Sequence, residues 1–167
     1  SYTCAFSVAA SKAGASQIVN IDMSKSSLRT GRENHRLNDA DSGAPVFVGH
    51  DIFKSWGKLK KLGPYDVVIC DPPAFAPSKQ ALEAGLRAYE RIAKLAAPLV
   101  APGGYLGLCS CSHAADLSRF RNASARGIGR AGRRGQLIHT GYAGADHPQL
   151  PQLAESGYLK SVFFRLD

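Results

Sequence analysis

Short apolar runs alternate with longer stretches of helical periodicity along this chain, and this alternation restricts the fold more than any other feature. The pattern is typical of an α/β domain with a mostly parallel sheet. The predicted strands are residues 17–22, 46–49, 65–70 and 105–111, then two late strands near Leu137 and over residues 158–166, separated by a loop over 141–157. The first predicted helix begins after Ser24, which could cap it, and runs to about residue 37. The other predicted helices cover residues 52–62, 82–100 and 114–131.

Size and composition fit one globular domain over residues 1–167. Hydrophobic residues make up 44% of the chain, which is enough to build a core. No apolar run approaches the roughly 18–20 residues of a membrane span, and no signal-peptide pattern is present. We therefore expect a reduced, cytoplasmic protein without a membrane partner. The cysteines have the spacing of neither a disulfide framework nor a zinc site, so no metal is expected. They are Cys4, Cys70, Cys109 and Cys111.

The formal charge of +8 favours a polyanion such as nucleic acid as a partner. Residues 119–134 contribute six arginines and no acid. If this segment is helical, four of its arginines form one stripe that could follow phosphates. These are Arg119, Arg126, Arg130 and Arg133. A basic face that contacts only solvent explains the same pattern, so both interpretations stay open.

Chemically distinctive segments lie at the predicted carboxyl ends of strands, where open α/β sheets bind their ligands. They are residues 1–6, Asp22, residues 71–75 and residues 110–112. Because these segments are far apart in the sequence yet share one edge of the predicted sheet, we expect them to form the functional site.

The acid at the end of the first strand suggests a nucleoside cofactor. The Asp22 carboxylate can accept hydrogen bonds from both ribose hydroxyls, or it can simply cap the next helix. A dinucleotide needs a glycine-rich loop to approach its pyrophosphate, and residues 2–7 contain no glycine. S-adenosylmethionine carries no phosphate, so it fits this loop better than NAD does. Asp51, with Ile52 and Phe53 beside it, could hold the adenine amino group and ring.

Residues 71–75, Asp-Pro-Pro-Ala-Phe, follow the clearest buried strand. Two prolines fix a rigid turn that can present Asp71 and backbone carbonyls to a planar base, on which Phe75 could stack. A plain strand-to-helix connection is the alternative. The same turn also suits methylation of an exocyclic amino nitrogen, whose hydrogens these acceptors would hold.

Cys111 lies in a Ser-Cys-Ser sequence at the end of the next strand. Carbon 5 of cytosine is a poor nucleophile, so its methylation requires a thiolate to attack carbon 6 first. A strand cysteine alone is more often an inert core residue. Together with Asp71, however, Cys111 is predicted to be the nucleophile.

At these residues the chain resembles the bacterial methyltransferases that make 5-methylcytosine in large-subunit ribosomal RNA. The matching stretches are Ser1-Tyr2-Thr3, Phe6-Ser7-Val8, Arg32-Glu33-Asn34, Asp51-Ile52-Phe53-Lys54, Asp71-Pro72-Pro73, Gly103-Gly104, Ser110-Cys111-Ser112, Asp146-His147-Pro148 and Tyr158-Leu159-Lys160. The resemblance implies a Rossmann-like class I methyltransferase fold, with a doubly wound seven-stranded sheet that has one antiparallel strand. It also implies S-adenosyl-L-methionine as cofactor and ribosomal RNA as partner, and it leaves a homodimer open.

The resemblance also implies roles for individual residues, with Cys111 and Asp71 as the catalytic pair. The residues expected to bind the cofactor are Ser1, Tyr2, Thr3, Cys4, Ala5, Phe6, Asp22, Met23, Ser24, Asp51, Ile52, Phe53 and Asp71. The residues expected to contact the substrate are Pro72, Pro73, Phe75, Lys79, Tyr89, Ser110, His147 and Lys160.

The chain departs from the family pattern near its first residue. The family usually has two glycines where Cys4 and Ala5 stand. Its members also carry an N-terminal RNA-binding domain and a central strand before the position of Ser1, and we expect both in the full protein. A non-catalytic RNA-binding or assembly module with the same fold stays an alternative, because the first loop lacks glycine.

Overall fold

A computed structural model describes residues 2–40, 43–54, 56–153 and 156–167, and the chain divides into two compact units, Ser1–Lys58 and Leu59–Asp167. Unit one begins with a 3₁₀ turn, Tyr2–Cys4, which leads into helix α1, Ala5–Lys12. It continues with strand β1 (Val19–Asp22), helix α2 (Lys25–Leu37), strand β2 (Val46–Gly49) and a second 3₁₀ turn, Ile52–Lys54. Helix α3, Trp56–Leu62, runs across the boundary between the units.

The two strands of unit one are parallel neighbours, with Val19 opposite Val46 and Asp22 opposite Gly49. Helix α2 begins as predicted, because the Ser24 hydroxyl accepts a hydrogen bond from the Ser27 N–H. Asp22 therefore ends β1 and leads directly into a capped helix.

Unit two contains a four-stranded sheet and two long helices. The elements are strand β3 (Tyr65–Cys70), helix α4 (Leu82–Ala96), strand β4 (Val100–Ser110), helix α5 (Leu117–Arg130), strand β5 (Gly135–Tyr142) and strand β6 (Lys160–Leu166). The strand order is β3-β4-β6-β5, with β3 parallel to β4 and β6 antiparallel to both of its neighbours. The expected doubly wound α/β fold with mostly parallel pairing and one antiparallel strand is confirmed. The described strands number six, in two sheets, against the seven that the resemblance implies.

One part of the core of unit two lies where α4 and α5 pack together. The Tyr89 ring meets Phe120 edge to face, with 4.9 Å between the ring centroids. Gly127 allows the helices to approach closely, because a methyl group on its Cα would overlap the Glu90 carbonyl oxygen. Burial of these apolar faces, rather than helix propensity, stabilises a helix that contains glycine in its interior.

Several predicted boundaries are wrong. Helix α1 was not predicted from the sequence, because its Ala- and Ser-rich residues show no strong apolar stripe. The helix predicted over 82–100 ends at Ala96, because Pro98 follows and cannot continue an α-helix. Val100 instead begins β4, where it pairs with Tyr65. The helix predicted over 52–62 is a 3₁₀ turn followed by α3.

Among the described residues, no helix has both the length and the apolar character that crossing a bilayer requires.

Candidate active-site residues

The side chain of Cys111 lies against the turn that follows β3. Its thiol points to the Pro72 carbonyl oxygen at a distance of 4.0 Å, and the residue is half-buried. A weak thiol donor at this distance is oriented by the carbonyl but stays accessible. The structure therefore brings together the two strand ends of unit two that the sequence predicted to meet.

A chain of buried hydroxyls positions the segment around Cys111. The Ser110 hydroxyl donates to the Tyr89 hydroxyl at 2.8 Å, and the Tyr89 and Ser112 hydroxyls are 2.7 Å apart. Ser112 also accepts the N–H of Ala76 at 2.9 Å. This network joins α4, the end of β4 and the segment after the double proline, so it fixes Cys111 relative to Asp71. Sequence reasoning did not identify Ala76, since the group that contributes is a backbone N–H.

Two of the predicted substrate contacts belong to this network. Tyr89 and Ser110 are each only 1% exposed, and their hydroxyls bond to each other. The structure thus gives them a supporting position behind the Cys111 turn. Phe75 is half-buried, with its ring centroid 5.0 Å from that of Tyr89, while Pro72 and Pro73 lie in the turn itself.

Asp71, the acid of the Asp-Pro-Pro turn, has a raised pKa. Neighbouring protein removes part of the water around Asp71 and raises the pKa of its carboxyl above the ordinary value, although the residue keeps an exposed surface. A carboxyl in this state is a better proton donor near neutral pH than a fully hydrated aspartate.

The other cysteines of unit two have a different character. Burial raises the pKa of both Cys70 and Cys109 to about 12, so these thiols stay protonated at neutral pH. Cys109 and Cys111 are two residues apart, yet only Cys111 contacts the Pro72 carbonyl. The inert character expected of a core cysteine therefore belongs to Cys70 and Cys109.

Lys160, another predicted substrate contact, is 9% exposed. Its ammonium donates to the carbonyl oxygens of Ser112 and Tyr158, both at 2.9 Å. Burial lowers the pKa of this amine, while Cys111 and Asp116 oppose that shift. The structure therefore ties Lys160 to the backbone beside Cys111.

The remaining predicted substrate contacts, Lys79 and His147, are exposed. The His147 ring lies 3.2 Å from the Asp146 carboxylate, within the loop between β5 and β6. No described contact brings either residue to the Cys111 turn, and a role in binding RNA stays a prediction for both.

In unit one, both candidate cofactor acids bond to nearby backbone. Asp22 Oδ1 accepts the Ser24 N–H and Asp51 Oδ1 accepts the Phe53 N–H, each at 2.8 Å. Burial acts to raise the pKa of the Asp22 carboxyl, and the hydrogen bond from the Ser24 N–H acts to lower it. Because β1 and β2 are parallel neighbours, the two acids lie at the same edge of this sheet.

The first loop adopts the backbone conformation that glycine favours. Thr3 and Cys4 have φ values of 56° and 59°, in the left-handed region. Asn34 of α2 donates to the Thr3 carbonyl oxygen at 2.8 Å, and the Cys4 side chain packs against Gly31. The loop thus keeps its shape without glycine because α2 contacts it at two positions.

The other expected cofactor contacts of unit one surround these features. Tyr2, Phe6 and Met23 are exposed, whereas Ile52 and Phe53 are half-buried. Ser1 lies outside the described residues. Acids aligned at one strand edge, apolar side chains beside them and no phosphate-binding glycine loop fit an adenosyl cofactor without phosphate.

The arginine stripe is largely occupied by ion pairs. Arg126 and Arg130 both bind the buried carboxylate of Glu90 in α4. Arg119 lies 3.5 Å from the Asp116 carboxylate, and Arg133 donates to carbonyl oxygens at Ala97 and Val100. The single-stripe prediction is also wrong for Arg133, which lies beyond the end of α5. The acids were missed because they lie outside the segment that was considered.

A model of the S-adenosylmethionine-dependent methyltransferase family matches residues 1–165 of the chain. Ribosomal RNA large subunit methyltransferase I of Aeromonas hydrophila is 39% identical over 165 residues, which are 98% of this chain and 42% of that protein. The protein of the same name from Enterobacter sp. strain 638 is 36% identical over 167 residues, 99% of this chain and 42% of its own length. The chain therefore spans less than half of the length of these relatives.

Solved structures agree on the fold. The crystal structure of SMU.776 complexed with SAH matches with a TM-score of 0.82 at 23% identity, over 98% of this chain and 43% of that one. The SAM-dependent methyltransferase from Agrobacterium tumefaciens matches with a TM-score of 0.69 at 20% identity, over 99% of this chain and 53% of that one. The match to the family model extends over nearly every residue, and the chain belongs to the S-adenosylmethionine-dependent methyltransferase family.

Proposed function

We propose that the intact protein methylates carbon 5 of a cytosine in large-subunit ribosomal RNA, with Cys111 as the nucleophile. One observation carries this proposal: the half-buried thiol lies 4.0 Å from the Pro72 carbonyl oxygen of the Asp-Pro-Pro turn. The names of the two relatives support ribosomal RNA as the substrate. The charge of +8 agrees with a polyanionic partner.

Unit one supplies the residues for the cofactor, S-adenosylmethionine, which provides an electrophilic methyl group when bound. Asp22 would accept hydrogen bonds from the ribose hydroxyls, and Asp51 with Phe53 would hold the adenine. The segment over residues 2–6 would contact the remaining part of the cofactor. Two neighbouring backbone N–H groups hold the two carboxylates in place before the cofactor arrives.

Unit two supplies the groups that act on the base. The Cys111 thiolate forms a bond to carbon 6 and pushes an electron pair towards carbon 5, which would take the methyl group as the sulfur–methyl bond of the sulfonium breaks and leaves a neutral thioether. Loss of the carbon-5 proton to a base returns this pair, breaks the sulfur–carbon bond and restores the thiolate. Asp71, whose raised pKa makes protonation of its carboxyl easier, donates a proton to N3 of cytosine as negative charge develops there and takes it back when the thiolate leaves.

Methylation of an exocyclic amino nitrogen is the second candidate. The exposed turn supports it, since Asp71 and the Pro72 carbonyl are acceptors that could hold an amino group. This reaction needs no thiol, so Cys111 discriminates between the two candidates.

The test compares Cys111→Ala with Cys109→Ala in the intact protein. Cys111→Ala should lower methyl transfer by at least about a thousandfold, the scale expected when a nucleophile is removed. Cys109→Ala should keep activity, because its protonated thiol faces no substrate in this mechanism. Nucleosides released by nuclease digestion are identified by chromatography and mass spectrometry, and cofactor binding is followed by isothermal titration calorimetry.

Three results would contradict the proposal. Wild-type activity in Cys111→Ala excludes the nucleophile, and N4-methylcytidine as product selects the amino-nitrogen reaction. Failure of the intact wild-type protein to bind S-adenosylmethionine would instead favour a non-catalytic RNA-binding module.

A further inference from the structure

We propose that Lys160 is a positioning residue for Cys111: its ammonium fixes the backbone at Ser112, the residue after Cys111, and stabilises the Cys111 thiolate. The inference rests on the proposed role of Cys111 as nucleophile. It assigns Lys160 to the protein side of the reaction rather than to contact with the substrate.

The first support is the position of Lys160 in the sheet. Lys160 begins β6 and pairs with Ser110, the last residue of β4, in antiparallel register. Directly paired residues of antiparallel strands extend their side chains to the same face. Lys160 is therefore held beside the strand end from which Cys111 emerges.

The second support is the hydrogen bonding of the amine. Two of its three N–H groups are used by the carbonyl oxygens of Ser112 and Tyr158. The bond to the Ser112 carbonyl fixes the Ser112–His113 peptide group, while the Ser112 hydroxyl is held by the hydroxyl of Tyr89. Since the amine is buried and bound to the backbone, it is poorly placed to contact a nucleobase of the RNA substrate.

The third support is electrostatic. Both hydrogen-bond partners of the ammonium are neutral carbonyls, which solvate the positive charge without cancelling it. A thiolate at Cys111 is close enough to interact with this charge, as is the carboxylate of Asp116. A cation that interacts with a sulfur atom favours its ionised form, and ionisation is what attack on carbon 6 requires.

The ionisable groups around the Cys111 turn come from several elements. Lys160 approaches from β6, Asp116 from the start of α5, Asp71 from the turn after β3, and Tyr89 from α4 through Ser112. Lys160 is the cation among these four, so its removal takes away the positive charge that they offer to a thiolate.

The experiment measures the alkylation rate of Cys111 against pH in the intact protein. Iodoacetamide is the probe, and modification is quantified on the Cys111 peptide by mass spectrometry. Lys160→Met should move the pH profile upwards, so that alkylation near neutral pH becomes several-fold slower. Lys94→Met, which removes an exposed lysine of α4, is the matched control and should leave the profile unchanged.

A second measurement avoids any change at Lys160. Because coupling between two charges is reciprocal, replacing Cys111 with serine should lower the pH at which Lys160 titrates, as observed by NMR of isotopically labelled lysine. Profiles for Lys160→Met and wild type that coincide in folded protein would overturn the proposal, as would an unchanged lysine titration in Cys111→Ser. These outcomes are separate from those that test the proposed function. The proposed function fails if Cys111→Ala stays active, if the product is N4-methylcytidine, or if the wild-type protein binds no cofactor.

Discussion

The two units hold their candidate functional residues by different means. In unit one, Asp22 and Asp51 each bond to the N–H group two residues further along the chain. In unit two, the segment around Cys111 depends on side chains far away in sequence, since Tyr89 lies 23 residues before Ser112. A local bond forms with its turn, whereas a long-range network forms only when α4, β3 and β4 are packed. Substitutions that weaken packing should therefore disturb the segment around Cys111 more than they disturb Asp22 and Asp51.

The first loop of unit one is the exception. Thr3 and Cys4 keep left-handed backbone conformations that cost free energy in residues other than glycine. The loop depends on Asn34 and Gly31, about thirty residues later in α2. In this respect it resembles the Cys111 turn more than it resembles the two acids.

The largest effect is expected from Tyr89→Phe. The change leaves the Ser110 hydroxyl without its acceptor and removes one bond from Ser112, both in a buried site. Unfolding by urea should show a loss of about 1–3 kcal/mol in the free energy of unfolding. In the intact protein, methyl transfer should fall more than cofactor affinity, because the Cys111 turn loses its support.

Tyr142→Phe is the control for that change, since Tyr142 is exposed and should lose almost nothing. Equal losses of cofactor affinity and methyl transfer in Tyr89→Phe would contradict the division of roles between the units.

The sequence predicted the parts of the site that depend on local chemistry. Buried apolar strands, the Ser24 cap and the double proline have short-range causes, so the positions of Asp22 and Asp71 followed from them. The enclosed position of Tyr89 could not be predicted, because helical periodicity gives a buried face but no partner for its hydroxyl. The ion pairs of Glu90 with Arg126 and Arg130 could not be predicted either, because periodicity does not identify the partner of a charged side chain.

A smaller effect should follow from Gly31→Ala in unit one. A methyl group at this position would overlap the Cys4 sulfur atom, so the loop must shift, at a cost of about 1–2 kcal/mol. Cys4→Gly removes both the overlap and the left-handed strain, so adding Gly31→Ala to it should cost much less. Urea unfolding of the four proteins in this double-mutant cycle gives the coupling energy. Additive effects of the two substitutions would show that the cost of Gly31→Ala does not come from overlap with the Cys4 side chain.

The smallest effect concerns acid stability at the far end of unit two. Bonds from Arg134, first its backbone N–H and then its guanidinium, lower the pKa of the Asp167 carboxyl to about 2 and join the ends of β5 and β6. The unfolded value is about 3.9, so the folded state gains stability above that pH and loses it as pH falls towards 2. Asp167→Asn should therefore be less stable than wild type at neutral pH, with the difference shrinking on acidification. Asp66→Asn, which removes an exposed acid of β3 for which the described residues show no ion pair, is the control. Because both acids are exposed, salt should weaken the effect, and thermal unfolding in low and high salt measures it. A pH-independent difference would show that Asp167 stabilises the strand ends by some means other than its charge.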